Sequence, residues 1–307
     1  MTDRSNVAPA RGQPVSLAPG LTRIVAPNPS AMTHWGTNTY ILGDRTLCII
    51  DPGPDHPDHL AALLALIGGR PVSHILVTHS HLDHSALSRP LAQATGAPVL
   101  AFGDSLAGRS VVMTGLAGVL TGGGEGLDLG FRPDQTLPDG AWITGPDWQL
   151  TAVHTPGHLG NHVCLRWGDA LFSGDQVMGW ASSLVSPPDG DLTDFMRSCH
   201  RLRAIGPAVL YPGHGDPVFD AVARIDWLLA HRTAREAQIR AQLATGPATI
   251  RDLTDTIYAE TALALHPAAA RNVFAHLIDL ASRNLVQASP TLAFDAVFSW
   301  PPAVSGA

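Results

Sequence analysis

Three histidines and an aspartate within six residues constrain this chain more than any other feature of its sequence. His79, His81, Asp83 and His84 follow an apolar run, Val72–Val77, and precede a helical pattern. Because side chains alternate along an extended chain, His79 and His81 lie on one side of it. Crowded imidazoles repel one another when protonated, and a bound cation removes that repulsion. We therefore interpret the loop as offering two ligand pairs to two neighbouring metal ions rather than as a set of solvated histidines.

Metal-binding side chains recur downstream, each directly after a predicted apolar strand and beside a glycine. His154 and His158 follow the predicted strand Trp148–Val153, and Asp175 and His214 follow two further strands. Loops at the carboxyl ends of strands gather at one edge of an open α/β sheet. The order of these residues therefore predicts that they converge on the histidine-rich loop.

Two regions of different pattern make up the chain. Residues 15–220 alternate apolar strands with helical segments, which predicts a layered α/β domain that holds the site. Within it, Gly103–Gly145 is rich in Gly, Pro and Asp and is predicted to be an insertion of long loops, including the Gly122–Gly124 run. A long helix is predicted over Asp220–Ala244. Residues 221–307 are therefore predicted to hold this connecting helix and a small winged-helix-like domain.

Composition restricts the class of protein further. The chain has 307 residues, of which 45% are hydrophobic and 15% charged, so it is predicted to fold around a core. No apolar run reaches the ~20 residues of a membrane helix, and the polar N-terminal stretch predicts a cytoplasmic protein. A net charge of -7 disfavours tight, sequence-independent binding of nucleic acid. For the C-terminal unit, an acidic balance favours a lid or packing module over a DNA-binding one.

Four histidine- and aspartate-containing motifs occur in this order along the chain: His79-x-His81-x-Asp83-His84, His154-Thr-Pro-Gly-His158, Gly174-Asp175 and Pro212-Gly213-His214-Gly215. The set resembles the metallo-β-lactamase superfamily over about residues 15–220. Within it, the chain is most similar to the glyoxalase-II-related hydrolases and to the lactamase-beta-like group, which includes endoribonucleases of single-stranded RNA. The resemblance implies an αββα sandwich with the site at one edge, followed by a small helical C-terminal domain.

The resemblance also implies a ligand set for two divalent metal ions, with Zn²⁺ favoured over Fe²⁺ and Mn²⁺. The implied ligands are His79, His81 and His154 for one ion, Asp83, His84 and His214 for the other, and Asp175 between the two. Asp83 and Asp175 are the expected catalytic residues. His158, four residues after His154, is expected to support the site rather than bind metal. Asp51, within Asp-Pro-Gly, is either a turn residue or a hydrogen-bond partner of a ligating histidine.

Three activities fit such a site, and we expect the first. A hydroxide that bridges two metal ions would cleave an ester, thioester or lactone of a small metabolite. The alternatives are an endoribonuclease acting on single-stranded RNA with the same two ions, and a mononuclear iron persulfide dioxygenase using His79, His154 and Asp175. A basic track beside the site would favour RNA, and the nearest candidates are Arg166, Arg197, Arg201 and Arg203. The complete ligand set disfavours a non-enzymatic binding module, and the sequence leaves the substrate and the oligomeric state open.

Overall fold

The centre of the protein consists of two β-sheets packed face to face. A computed structural model describes residues 12–118, 120 and 126–301. The first sheet has seven strands in chain order: β1 Val15–Ala18, β2 Leu21–Val25, β3 Asn38–Leu42, β4 Leu47–Ile50, β5 Val72–Leu76, β6 Val99–Ala101 and β7 Gln135–Thr136. Neighbours from β1 to β4 are antiparallel, and those from β4 to β7 are parallel. The carboxyl ends of β4 and β5 therefore lie at one edge.

The second sheet has five strands, in the spatial order β12-β11-β10-β9-β8. They are β8 Trp142–Thr144, β9 Gln149–His154, β10 Val163–Trp167, β11 Ala170–Gly174 and β12 Val209–Pro212. All neighbours are antiparallel except β11 and β12, which are parallel. Strands β9, β11 and β12 therefore run in the same direction, and the loops that follow them leave the sheet at the same edge.

Helices lie on the outer faces of both sheets and in the C-terminal region. They are α1 Pro57–Ile67, α2 Leu82–Ser85, α3 Ser88–Thr95, α4 Val111–Ala117, α5 Leu192–Ile205, α6 Ala221–Leu243, α7 Ile250–Ile257 and α8 His266–Ser282. One apolar cluster fills the space between the sheets, a second lies under α1 and α3, and a third lies under α5 and α6. Burial of one sheet face against the other and of each outer face against helices makes four layers. This confirms the expected αββα sandwich.

The sequence of helix α1, Pro57–Ile67, explains both of its ends. Proline suits the first turn, and the His56 side chain accepts a hydrogen bond from Asp58 N–H. The helix ends at Gly68, whose φ of 59° is the left-handed conformation that favours glycine.

The chain turns into helix earlier than expected after the histidine-rich loop. Sequence periodicity predicts a helix over Ser85–Ala94, whereas the structure has the one-turn α2 from Leu82 and then α3. His81 is the residue that precedes α2. Asp83 and His84 thus lie on a helical turn rather than on an extended loop, which changes the direction of both side chains relative to His79.

The prediction of long loops over Gly103–Gly145 is wrong in part. This segment contains α4, β7 and β8, and the Gly122–Gly124 run lies outside the described residues. Ser110 caps α4 by accepting a hydrogen bond from Met113 N–H. Met113 and Leu116 are buried in the apolar cluster of the C-terminal region, so these two positions serve packing that the composition alone does not reveal.

The C-terminal region combines α7 and α8 with a three-stranded sheet. Its strands, in the order β13-β15-β14, are β13 Ala248–Thr249, β14 Gln287–Ser289 and β15 Val297–Ser299. Phe274 and Phe298 lie in the core of this unit. Helix α6 joins it to the sandwich, because Ile225 packs in the sandwich and Ile239 in the C-terminal core. The division of the chain into residues 15–220 and 221–307 therefore stays a prediction.

Among the described residues, no helix is long and apolar enough to cross a bilayer.

Candidate metal centre

Histidine and aspartate side chains from both sheets meet at the edge where the carboxyl ends of the strands lie. The loop after β5 supplies two histidines, α2 supplies an aspartate and a histidine, and the loops after β9, β11 and β12 supply one residue each. In chain order they are His79, His81, Asp83, His84, His158, Asp175 and His214. Three overlapping groups of these residues each bring their potential ligand atoms within 4.8 Å of one another.

The first group consists of three histidines whose nitrogens converge. His79 Nε2 lies 3.0 Å from His81 Nδ1, and His158 Nε2 lies 3.1 Å from the same atom. Burial lowers the pKa of all three imidazoles, and neighbouring histidines lower it further; the pKa of His81 falls to about 3. The rings are therefore neutral at neutral pH and keep nitrogen lone pairs that a cation can use.

The second group pairs two histidines with a carboxylate. His84 Nε2 and His214 Nε2 are 3.3 Å apart, and Asp83 Oδ2 lies 3.5 Å from the first and 3.2 Å from the second. Burial alone would lower the pKa of His214, but the carboxylates of Asp175 and Asp83 outweigh it and raise that pKa to about 9. Positive charge is therefore stabilised at this position, whether it is carried by a proton or by a metal ion.

Asp175 lies between the two groups. Its Oδ2 is 3.3 Å from His214 Nε2 and 3.8 Å from His158 Nε2, and its Oδ1 is 3.5 Å from His84 Nε2. Oδ1 is buried without a hydrogen-bond partner among the described residues. A buried carboxylate oxygen with no donor is costly, and it fits a site built for a cation. Gly213 keeps the approach open, because a Cβ there would come within 2.3 Å of Asp175 Oδ1.

Oxygen atoms behind the ring of ligands fix the orientation of the imidazoles. Asp51 Oδ2 lies 2.9 Å from His84 Nδ1, and both carboxylate oxygens accept hydrogen bonds from Thr78. Thr78 Oγ1 is 3.0 Å from His79 Nδ1, and the Gly36 carbonyl oxygen is 3.2 Å from His214 Nδ1. Such partners set the tautomer, so that the other ring nitrogen is free to bind metal. Asp51 therefore has the supporting geometry that was one of its two expected roles.

His158 lies in the position that the sequence analysis assigned to His154, and His154 lies outside the cluster. His154 lies at the end of β9, where its ring stacks on Phe102 and its Nε2 lies 3.0 Å from the Gly160 carbonyl oxygen. The chain turns after His154, and His158 Nδ1 lies 2.7 Å from the Leu184 carbonyl oxygen while its Nε2 faces His81. Among the described residues, His158 rather than His154 therefore lies within the three-histidine group, and the assignment of metal ligands stays a prediction. The other six expected ligands do meet.

Thr37 also belongs to the site, although the sequence did not single it out. Its hydroxyl donates a hydrogen bond to Asp83 Oδ2 over 3.1 Å, and its backbone forms an isolated β-bridge with His214. Thr37 itself is held by Asn28, whose Oδ1 accepts from Thr37 N–H. The sequence does carry a signal for Thr37 and Asn28. Both lie in the stretch Asn28–Tyr40, which is also part of the resemblance to the lactamase-beta-like group.

The cluster of potential metal ligands opens into a cavity of about 780 Å³ between the sandwich and the C-terminal region. Besides His81, Asp83, His158, Asp175 and His214, the lining is largely apolar. Its larger apolar residues are Met32, Met178, Trp180, Leu184, Leu265 and Phe294. None of Arg166, Arg197, Arg201 and Arg203 lines this cavity. Three of them form ion pairs elsewhere, with Asp194, Asp139 and Asp226, so no basic track from these residues borders the cluster.

Comparison with known proteins agrees with this arrangement. Residues 32–214 match the model of the family described as "Metallo-beta-lactamase superfamily". The chain belongs to the metallo-β-lactamase superfamily. Residues 249–300 match the "Beta-lactamase associated winged helix domain", so the expected winged helix at the C-terminus of this metallo-β-lactamase-fold protein is confirmed.

Individual relatives and solved structures extend over most of the chain. It is 32% identical over 286 residues to a "Beta-lactamase-like protein 2 homolog" of Drosophila melanogaster, covering 89% of this chain and 91% of that one. It is 28% identical to an "Atrochrysone carboxyl ACP thioesterase" of Aspergillus fumigatus, covering 79% and 74%. The crystal structure of a metallo-beta-lactamase family protein from Thermus thermophilus superposes with a TM-score of 0.74 at 26% identity, covering 93% of this chain and all of that chain.

Proposed function

We propose that this protein is a metal-dependent hydrolase that cleaves an ester or thioester of a small molecule, with a lactone as a related substrate. The observation that carries the proposal is the convergence of seven nitrogen- and oxygen-bearing side chains within overlapping ligand groups. Neutral imidazoles beside a carboxylate oxygen that has no donor form a donor set that suits Zn²⁺, and also Fe²⁺ or Mn²⁺.

Each ligand has a definite part in this proposal. His79, His81 and His158 would hold one ion, and Asp83, His84 and His214 a second. Asp175 would contact both. When bound, the two ions would lower the pKa of water towards ~7 and so supply a hydroxide nucleophile, and they would stabilise negative charge that develops on the substrate.

The chain's own side chains would orient the reaction and limit access of water. Thr37 donates to Asp83 Oδ2 and so restricts the carboxylate to one orientation. Asp83 would then either accept a hydrogen bond from the attacking water or bind the metal ion next to that water. The apolar cavity lining would hold the acyl part of the substrate and exclude bulk water, which strengthens the electrostatic interactions inside it.

The same lining favours a small acyl substrate over RNA. A ribonuclease would need basic side chains along the path of the phosphates, and Arg271 is the one arginine among the described residues that lines the cavity. The similarity to a protein named as an acyl-carrier-protein thioesterase supports a thioester in particular. A mononuclear dioxygenase using His79, His154 and Asp175 is disfavoured, because His154 lies against Phe102 outside the cluster.

One experiment separates these activities. The full chain is loaded separately with zinc and with iron(II) and desalted. Each sample is incubated in separate assays with S-pentanoyl-N-acetylcysteamine, with a small-molecule persulfide and with a single-stranded RNA oligonucleotide, and free thiol, dissolved oxygen and RNA cleavage are followed. We expect thiol release without oxygen uptake. Oxygen uptake by an iron-loaded sample, or cleavage of RNA without thioester hydrolysis, would contradict the proposal in favour of the corresponding alternative.

A further inference from the structure

Arg271 lines the same cavity as the metal cluster but comes from a different part of the chain. It lies on α8, in the C-terminal region, whereas the metal ligands lie on the loops and the one-turn helix of the sandwich. Leu265, at the start of α8, and Phe294 line the cavity beside it. A fixed positive charge on this otherwise apolar wall is unexpected, because an arginine is normally paired or solvated.

The guanidinium of Arg271 is held in place without a counter-ion. Its Cζ lies 4.7 Å from the centroid of the Phe294 ring, and that ring makes an edge contact with the buried Phe274 at 5.4 Å. Among the described residues, Nη1 is buried and has no hydrogen-bond partner, and no carboxylate forms an ion pair with Arg271. An oriented guanidinium with an unused donor suits a planar anionic oxygen group.

Two other polar side chains of the cavity lining have partners of their own. Asp189 is ion-paired with Arg109. Asn272, the next residue along α8, uses its Oδ1 to accept hydrogen bonds from Arg232 Nη1 and from Val185 N–H. Within the described cavity lining no residue supplies a partner for Nη1, so an acceptor would come from a water molecule or from a ligand that enters the cavity.

We infer that Arg271 binds an anionic group of the substrate, so that the hydrolase acts on esters or thioesters carrying a carboxylate or phosphate away from the bond that is cleaved. This inference rests on the proposed function and narrows its substrate class. The apolar side chains of the lining would contact the part of the substrate between the two charged regions. Arg271 would act in binding and selection, with no part in bond cleavage.

Three thioesters test the inference and locate the anion. S-Pentanoyl-N-acetylcysteamine is uncharged, S-glutaryl-N-acetylcysteamine adds a carboxylate to the acyl part, and pentanoyl-coenzyme A adds phosphates to the thiol part. Arg271→Met keeps the apolar stem and removes the charge, and Arg271→Lys keeps the charge without the planar fork. Arg251→Met on α7 is the matched control, because the Arg251 side chain is 89% exposed.

We expect Arg271→Met to raise KM for an anionic thioester roughly 10- to 100-fold, the usual effect of losing a hydrogen-bonded charge. KM for the uncharged thioester and kcat should change little, and Arg271→Lys should lie between. A selective effect on the glutaryl substrate places the anion on the acyl part, and one on the coenzyme A substrate places it on the thiol part. Equal effects on all three substrates, or none, would overturn the inference.

A binding measurement separates failure of this inference from failure of the proposed function. Calorimetric titration of the zinc-loaded protein with the thioether analogues of the glutaryl and pentanoyl substrates requires no catalysis. Weaker binding of the glutaryl analogue alone by Arg271→Met supports the inference even if no thioester is hydrolysed. Identical affinities of wild type and variant for both analogues contradict it even if hydrolysis is fast.

Discussion

The two walls of the cavity are built in opposite ways. On the sandwich side, buried polar atoms are arranged in layers, with Asp51 and Thr78 behind His84 and His79. On the C-terminal side, Leu265 and Phe294 continue the apolar lining that Met178 and Trp180 form on the sandwich side, and Arg271 lies among them. The first wall uses its buried polar groups to orient ligands, and the second presents area that can contact an acyl chain. The contrast supports the proposal that bond cleavage depends on the sandwich and that substrate selection depends partly on the C-terminal region.

The comparison leads to different kinetic consequences. Substitutions of the histidines and aspartates on the sandwich wall, or of the polar groups behind them, should lower metal content and kcat for every substrate, because they act on the proposed ligands. Substitutions on the C-terminal wall should alter KM and depend on the substrate. A substitution on either wall that gave the kinetic effect expected of the other wall would contradict the separation of bond cleavage from substrate binding.

Substitution of His158 should give the largest effect on metal content and kcat. His158→Ala removes an imidazole from the three-histidine group, so we expect loss of bound metal and a fall in kcat greater than the roughly 10- to 100-fold typical of supporting residues. His154→Ala, four residues earlier at the end of β9, is the matched control and should retain its metal. Metal analysis and thioester hydrolysis check both. Metal loss in His154→Ala with retention in His158→Ala would return the site to the ligand set expected from the sequence.

Asp51→Asn should have a smaller effect on the same wall. The substitution removes the negative charge that lies behind His84 Nδ1, while nearly preserving its volume. We expect metal affinity to fall roughly 10- to 100-fold with the fold unchanged. Competition with a chelating dye measures the affinity. Asp139→Asn, which alters an exposed carboxylate paired with Arg201, should behave as wild type; an equal fall in both variants would show that Asp51 does not act through His84.

On the opposite wall, Leu265→Ala should change substrate binding. The residue is partly exposed and lines the cavity, so shortening it removes contact area for the acyl chain at little cost to the core. We expect KM for a pentanoyl thioester to rise about 10-fold, with KM for an acetyl thioester and kcat nearly constant. Initial rates across the two substrates measure the split. A fall in kcat with KM unchanged would contradict the assignment of this wall to binding.

The smallest expected effect is on stability and leaves activity unchanged at neutral pH. Burial, and then Arg232 nearby, hold the pKa of His276 on α8 well below its ordinary value, and neither ring nitrogen has a hydrogen-bond partner among the described residues. Below the unfolded value of about 6.5 the unfolded chain binds the extra proton, so this residue lowers stability as pH falls. His276→Leu should remove that loss.

Urea unfolding at pH 8 and pH 5 measures the effect of His276→Leu. The variant should gain about 2 kcal/mol relative to wild type on going from pH 8 to pH 5. The same difference between wild type and variant at both pH values would show that folding does not lower the pKa of His276.

Much of the sandwich and most of the cluster could be predicted from local sequence. The motif around His79 follows a buried strand, and Asp175 and His214 each end a strand, so their convergence follows from the rule that such loops meet at one edge. The alternation of strands and helices predicts a layered α/β domain, and the family resemblance implies the αββα order of its layers. These features depend on residues close together in sequence or on general rules of sheet topology.

The features that sequence did not provide depend on contacts between distant residues. His154 and His158 are equally plausible ligands by type and spacing, and the choice is made by the turn between them, where Gly157 lies against the backbone of Phe195. The apolar residues at the start of α8 have the pattern of core residues, so nothing in the sequence marked Leu265 as a cavity wall. Likewise, the lack of a partner for Arg271 Nη1 is visible only in three dimensions.

Metal stoichiometry tests the central claim most directly. Wild type and Asp175→Ala are loaded with excess zinc, desalted and analysed by inductively coupled plasma mass spectrometry against protein concentration. The account predicts about two ions per wild-type chain and a clear deficit in Asp175→Ala, whose carboxylate lies between the two ligand groups. No stoichiometric uptake by wild type, or equal uptake by the two proteins, would contradict it.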